Sequence, residues 1–300
     1  MRYYLDTEFL EGTQKKRLLG VPYGNTKNTI DLISIGIVSE DTDGISNNNR
    51  EYYAISKEFN LKEAWNRYQE DVNLNYKPDF GDHNESPHNP KYIRTYWIRE
   101  NVLKPIFIEF LKLDTKYLSK QRRIIGFAPP LNTEFSRRNF NRLLKRFGKT
   151  NKEIAKEILI FSSNGYFNEG NTGIPFEEMK KYELTGKHKP EFYAYYADYD
   201  WVVFCWLFGK MIDLPKGFPM YCRDLKQDLD NAINRETNTM YGMRDLRINP
   251  DTSKPKTHYS FDDRLSIIKK YPNYPKQENE HNALDDAKWN LKLYEFIKSL

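Results

Sequence analysis

An α/β fold with a mixed sheet is what this sequence predicts, on three observations. The N-terminal part reads as three successive strands joined by polar loops, at residues 3–9, 29–38 and 51–56. Later residues alternate strand and helix signals, extended at 191–197 and helical at 201–211. The chain closes on an amphipathic helix at 282–300, with Leu284, Ala287, Leu291, Tyr294 and Ile297 on one stripe. A meander followed by alternating elements puts helices against a sheet.

The first strand is Tyr3-Tyr4-Leu5-Asp6-Thr7-Glu8-Phe9-Leu10, an apolar run broken by two acids. Strand alternation puts Asp6 and Glu8 on one face and Thr7 on the other. Two carboxylates side by side at low dielectric repel unless a cation lies between them. A hard divalent ion such as Mg²⁺ suits that role, because it prefers carboxylate oxygen. The competing reading is a solvated strand face carrying two scattered acids.

Residues 10–28 hold Gly12, Gly20, Pro22 and Gly24 and read as a loop. The strand at 29–38 is rich in β-branched residues. A polar turn at 40–49 leads to the strand at 51–56, and short connections favour antiparallel pairing. The stretch 61–93 is loosely helical, then polar, and is broken by Pro78, Gly81, Pro87 and Pro90. His83 and His88 lie there and fit a surface loop, with no third metal ligand nearby. A helix is expected at 93–112.

Residues of about 112–190 look like an inserted or enlarged segment within a single domain spanning 1–300. It contains a basic amphipathic helix at 137–149, with Phe140, Leu143, Leu144 and Phe147 spaced i, i+3, i+4, i+7. Its cations, among them Arg138, Arg142 and Lys145, suit either a solvated face or a nucleic-acid backbone. A short strand running into a helix is expected at 220–232, and a helix at 261–271.

Composition narrows the class. Of 300 residues, 39% are apolar and 15% aromatic, enough for a sizeable core. The net charge of +5 permits a nucleic-acid partner without requiring one. The two cysteines, Cys205 and Cys222, form no C-x-x-C pair, which excludes a disulfide framework or a zinc knuckle. The longest apolar run, 201–208, is too short to span a bilayer. With a strand starting directly after Met1, no signal peptide is expected, and a reducing cytoplasmic setting follows.

Two further acidic clusters compete with the first. One is Asp198-Tyr199-Asp200-Trp201, where a strand hands over to an apolar helix. An acid there can cap the helix or reach the sheet end, where ligands of open α/β sheets bind. The other is His281-Asn282-Ala283-Leu284-Asp285-Asp286-Ala287. With Asn282 as N-cap, Asp285 occupies the capping-box position and Asp286 is left over. Helical spacing would alternatively pair His281 with Asp285, so spacing alone does not decide between the acids.

Taken together, Asp6-x-Glu8, Tyr199-Asp200 and His281-x-Ala283-x-x-Asp286-Ala287 resemble the three motifs of the DEDDh 3′-5′ exonucleases. The chain looks most similar to the mycobacterial-type 3′-5′ exoribonuclease-like branch. Leu32-Ile33-Ser34-Ile35-Gly36, Arg50 to Ser56, Leu207-Phe208-Gly209 and Met220 to Leu225 carry that likeness as well. It covers the two ends of the chain and leaves out most of 112–190.

The resemblance implies an RNase H-like mixed five-stranded sheet flanked by helices, with an inserted helical segment. It implies that Asp6, Glu8, Asp200 and Asp286 hold two divalent cations, Mg²⁺ or Mn²⁺, and that His281 is the general base. Asp198 is not a ligand in this mapping. Such a site hydrolyses phosphodiesters from a 3′ end and releases 5′-mononucleotides. Two-metal chemistry activates a water and stabilises the leaving oxygen, while histidine's ordinary pKa suits proton transfer at neutral pH. The expected partners are RNA or DNA 3′ ends, no membrane, and a second copy in a homodimer. Thr7, Phe9, Leu10 and Trp201 flank the acids and are expected near the terminal bases; aromatic stacking is worth about 1–3 kcal/mol per base. The alternatives are a catalytically degenerate nucleic-acid-binding protein, a DNA-directed exonuclease, an endonuclease ending in a carboxylate, and a metal module built on His83 and His88.

Overall fold

The computed structural model describes residues 1–19, 21–40, 50–72, 92–121, 133–167, 173–243, 265–266 and 268–300. His83, His88 and residues 261–264 and 267 of the helix expected at 261–271 lie outside the described residues. The chain divides into two compact units. The first comprises Met1–Phe9, Leu32–Ser56 and Lys149–Leu300, and the second Leu10–Asp31 and Lys57–Gly148.

A mixed five-stranded sheet organises the first unit. Its strands are β1 (Arg2–Gly12), β2 (Thr29–Ser39), β3 (Glu51–Ile55), β4 (Glu191–Ala194) and β5 (Arg223–Asp224). They lie in the order β3-β2-β1-β4-β5. β2 and β3 pair antiparallel, as the short connection predicts, whereas β1 and β4 run parallel, as do β4 and β5. The longer helices of this unit among the described residues are α1 (Asn151–Ser162), α2 (Ala197–Phe208), α3 (Leu225–Met243) and α4 (Ala283–Ser299). A parallel neighbour requires a crossover, and α2 and α3 stand directly after β4 and β5.

The core follows from the apolar stripes. Leu225, Leu229, Ala232 and Ile233 of α3 join Ala287, Leu291, Leu293 and Tyr294 of α4 in one buried cluster with Tyr4 and Tyr193 of the sheet. Burying a side chain of that size contributes about 1.5–3 kcal/mol. Two contacts lock α4 in place. Asn290 donates from Nδ2 to the Leu5 carbonyl at 2.9 Å. Gly36 of β2 lies so close to the N-terminus of α4 that a Cβ there would overlap the Ala283 carbonyl and Leu284 Cα.

The second unit holds an antiparallel hairpin, Lys15–Leu18 with Val21–Asn25, where a loop was expected. Gly and Pro content misled there: a two-stranded ribbon has only edges, so Pro22 breaks no central ladder. A second hairpin pairs Gln69–Val72 with Tyr92–Thr95. The helix expected at 93–112 therefore starts later. It opens with a wide turn at Ile98–Leu103 and continues as Lys104–Gln121. Pro105 has no N–H, and just before it the Lys104 N–H bonds back to Arg99 C=O, five residues away. The basic helix is present at Arg137–Phe147, with Phe140, Leu143 and Leu144 buried. Trp65, Phe107, Phe135 and Phe140 form the aromatic core of this unit, the closest rings, Trp65 and Phe135, being 4.7 Å apart. No helix among the described residues is long and apolar enough to cross a membrane.

Candidate metal centre

β1 presents Asp6 and Glu8 to a cavity of about 310 Å³. Asp200, Gln277, His281 and Asp286 line the same cavity, with Phe9, Tyr195, Tyr196, Tyr199 and Trp289 as its aromatic wall. Oxygens of Asp6, Glu8 and Asp286 lie within 4.8 Å of one another. Asp200 stands beside that trio, and its charge is the largest charged influence on Asp6.

Helix starts bring the two distant acids in. α2 begins at Ala197, four residues earlier than the apolar run suggests, after Tyr196 turns the backbone left-handed at φ 56°. Asp198 and Asp200 therefore both sit in the first turn, where the helix dipole favours anions. The turn separates them: Asp198 is exposed and Asp200 is buried. At α4, Asn282 is the N-cap and accepts from the Leu284 and Asp285 N–H groups at 3.0 and 3.3 Å. Asp285 points outward, taking a bond from Asn279 Nδ2 at 3.1 Å, while Asp286 is buried.

Each of these buried acids accepts hydrogen bonds from fixed donors. Asp200 Oδ1 accepts from the Thr7 N–H at 2.9 Å and the Thr7 hydroxyl at 2.5 Å. Asp286 accepts from Gln277 Nε2 at 2.7 Å and from the His281 N–H at 2.9 Å. His281 adopts φ 69°, in the left-handed region that histidine tolerates better than most residues. Its ring is partly exposed, with Nδ1 4.0 Å from Glu8 Oε1.

Crowding four acids has an electrostatic signature. Burial, then Asp200, Glu8 and Asp286, push the Asp6 carboxyl well above the usual carboxylate range. Burial and the Asp286 and Asp200 charges push Glu8 up to about 8. Burial also raises Asp200 to about 7, against the lowering effect of the two Thr7 bonds. Asp286 is raised by burial and partly relieved by Gln277 and His281. Among the described residues, no lysine or arginine lines the cavity to neutralise this charge. An all-oxygen carboxylate set suits hard divalent cations, and the unrelieved repulsion is what such cations would remove.

The aromatic residues expected near the bases divide. Phe9 reaches the cavity and stacks on Tyr199, ring centroids 5.7 Å apart at 28°. Leu10 is fully buried. Trp201 is also buried, stacked on Phe204 at 4.9 Å with its indole N–H donating to Met220 C=O. Gln277 and Trp289 are lining residues that sequence reasoning missed. Gln277 sits in an ordinary polar stretch with no distinguishing signal. Tyr199 was visible as a letter of the Tyr199-Asp200 motif, but nothing in the sequence marked its pairing with Phe9.

Fold and site together define an α/β protein whose mixed sheet carries a buried carboxylate cluster with a histidine at its rim. No protein-family model matches the chain. A 64-residue stretch is 42% identical to a 3′-5′ exoribonuclease of Mycobacterium tuberculosis, in strain CDC 1551 / Oshkosh and in strain ATCC 25618 / H37Rv alike. The match covers 21% of this chain and 26% of each relative, so the chain spans about a quarter of the length of the curated relatives it matches.

Proposed function

We propose that this chain is a metal-dependent 3′-5′ exonuclease of the DEDDh type on an RNase H-like scaffold. It hydrolyses phosphodiesters at the 3′ end of RNA and releases 5′-mononucleotides. The observation that carries this reading is the convergence of Asp6, Glu8 and Asp286 within 4.8 Å, with Asp200 and His281 lining the same cavity. The similarity over 64 residues to a 3′-5′ exoribonuclease supports the reaction class.

Asp6, Glu8, Asp200 and Asp286 would hold two divalent cations, Mg²⁺ or Mn²⁺. When bound, these supply an activated water and neutralise charge on the leaving 3′-oxygen. The chain's own residues do the rest. A ring nitrogen of His281 takes the proton of the attacking water; its place on a loop beside Glu8 gives it access without burying it. Phe9 and Tyr199 offer an aromatic platform for the terminal base, tolerant of any sequence. Leu10 and Trp201 are buried and are left out of that platform.

Digestion of 5′-labelled oligomers tests the proposal, using RNA and DNA, single-stranded and with 3′ overhangs, with and without EDTA. Stepwise shortening from the 3′ end, cation-dependent and fastest on RNA, is expected. Faster loss of DNA would reassign the substrate. Cleavage of a closed circle would mean an endonuclease, and full activity in Asp6→Ala or Asp200→Ala protein would sink the site.

A further inference from the structure

We propose that Thr7 is a positioning residue, which holds Asp200 edge-on to β1 so that Oδ2 is the oxygen offered to a cation. This inference rests on the proposed metal site and concerns how one of its acids is aimed. The β1–β4 ladder runs from Arg2↔Glu191 to Tyr4↔Tyr193, and β4 stops at Ala194. Beyond that point β1 still presents N–H groups on the side that β4 has left. The Thr7 N–H is satisfied by Asp200, whose carboxylate stands where a strand partner would otherwise be. An unsatisfied buried N–H would cost as much as a lost hydrogen bond, so the pairing is enforced from both sides.

The hydroxyl adds the orientation. Thr7 Oγ1 donates to the same oxygen, Oδ1, at 2.5 Å, so two donors from one residue converge on one oxygen. A carboxylate held by a single donor can still swing about its Cβ–Cγ bond; one clamped by two donors at a fixed angle is far more restricted. Thr7 is 5% exposed and borders the same cavity, while strand alternation turns its side chain away from those of Asp6 and Glu8. It therefore acts through Asp200 and needs no contact with substrate. Outer partners of metal-binding carboxylates typically contribute about 10–100-fold in metal affinity.

Mn²⁺ titration followed by electron paramagnetic resonance tests this without reference to turnover. Thr7→Val keeps the volume and the N–H but removes the hydroxyl, and should weaken Mn²⁺ binding by about 10-fold or more. Thr7→Ser should restore affinity to near the wild-type value. In an Asp200→Ala background, Thr7→Val should change nothing further, because the oxygen that its hydroxyl binds is gone. Should Thr7→Val fold poorly, Thr7→Ala removes the same hydroxyl. Unchanged affinity in Thr7→Val, or an equal loss in the Asp200→Ala background, would overturn the assignment. Wild-type protein that binds Mn²⁺ but degrades no nucleic acid would refute the exonuclease reading alone. Protein that binds no Mn²⁺ would refute both.

Discussion

The strand-borne acids and the helix-borne acids reach the same cavity by different physics. Asp6 and Glu8 are neighbours because any extended backbone places alternate side chains on one face. Asp200 and Asp286 come from far along the chain, and each depends on a helix start and outside donors, the second also on the Asn282 cap. Thr7 holds one, and Gln277 with the His281 N–H holds the other. The lesson is that half of the cluster is local and robust, and the other half is only as good as the packing that delivers it. Changes to the first pair should abolish binding without disturbing the fold. Changes to the packing around the second should cost stability and binding together.

The largest effect is expected from Asp6→Asn. It removes a charge from the centre of the cluster, and should lower Mn²⁺ affinity by more than the roughly 100-fold ceiling of outer partners. Thermal unfolding without cations should be unchanged or improved, because burial first, and the neighbouring carboxylates after it, disfavour the charged form of Asp6. A large drop in melting temperature for this variant would mean that Asp6 is structural.

The next effect belongs to the whole cluster. A carboxyl whose folded pKa exceeds its unfolded value costs no stability below the unfolded pKa, and its full cost appears above the folded pKa. Glu8 is raised from 4.5 to about 8 and Asp200 from 3.8 to about 7. The cation-free protein should therefore lose stability as pH rises from about 4 to 8 through these groups. Saturating Mg²⁺ or Mn²⁺ should flatten that slope, since bound cations replace the protons. Melting curves across this window, with and without cation, check it; parallel curves would argue against a cation in the cavity.

A smaller effect should separate the second pair from the first. Gly36→Ala puts a methyl against Ala283 and Leu284 at the start of α4. Overpacking of that kind costs about 1–3 kcal/mol. The displacement carries Asp286 with it, so cation affinity should fall alongside stability, although Gly36 does not line the cavity. Chemical denaturation and Mn²⁺ titration of the same sample measure both. Lost stability with full cation affinity would show that the site tolerates movement of α4.

Much of this was legible beforehand, and the exceptions have physical causes. β2 was clear because a β-branched run with polar flanks has few alternatives. Capping and helical spacing left the choice between Asp285 and Asp286 open, and the motif resemblance pointed to Asp286; the structure buries Asp286 and turns Asp285 to Asn279. The Lys15–Asn25 hairpin was missed because strand pairing in a two-stranded ribbon leaves no burial pattern to read. The early start of α2 was missed because its first turn is polar and begins from a left-handed tyrosine. Burial of Leu10 and Trp201 could not be read from their place beside acids, since proximity in sequence says nothing about which face a ring takes.

The sequence by itself determined the strand alternation that pairs Asp6 with Glu8, the cap at Asn282, and the apolar stripes that build α4 and the sheet. These depend on neighbours within a few residues, and backbone geometry settles them. Only the tertiary structure decided that Asp200 would stand against the open edge of β1, that Asp286 would meet Gln277, and that Phe9 would face Tyr199. Those contacts join segments distant in the chain, and they form because β4 ends where it does and because Gly36 lets α4 approach the sheet.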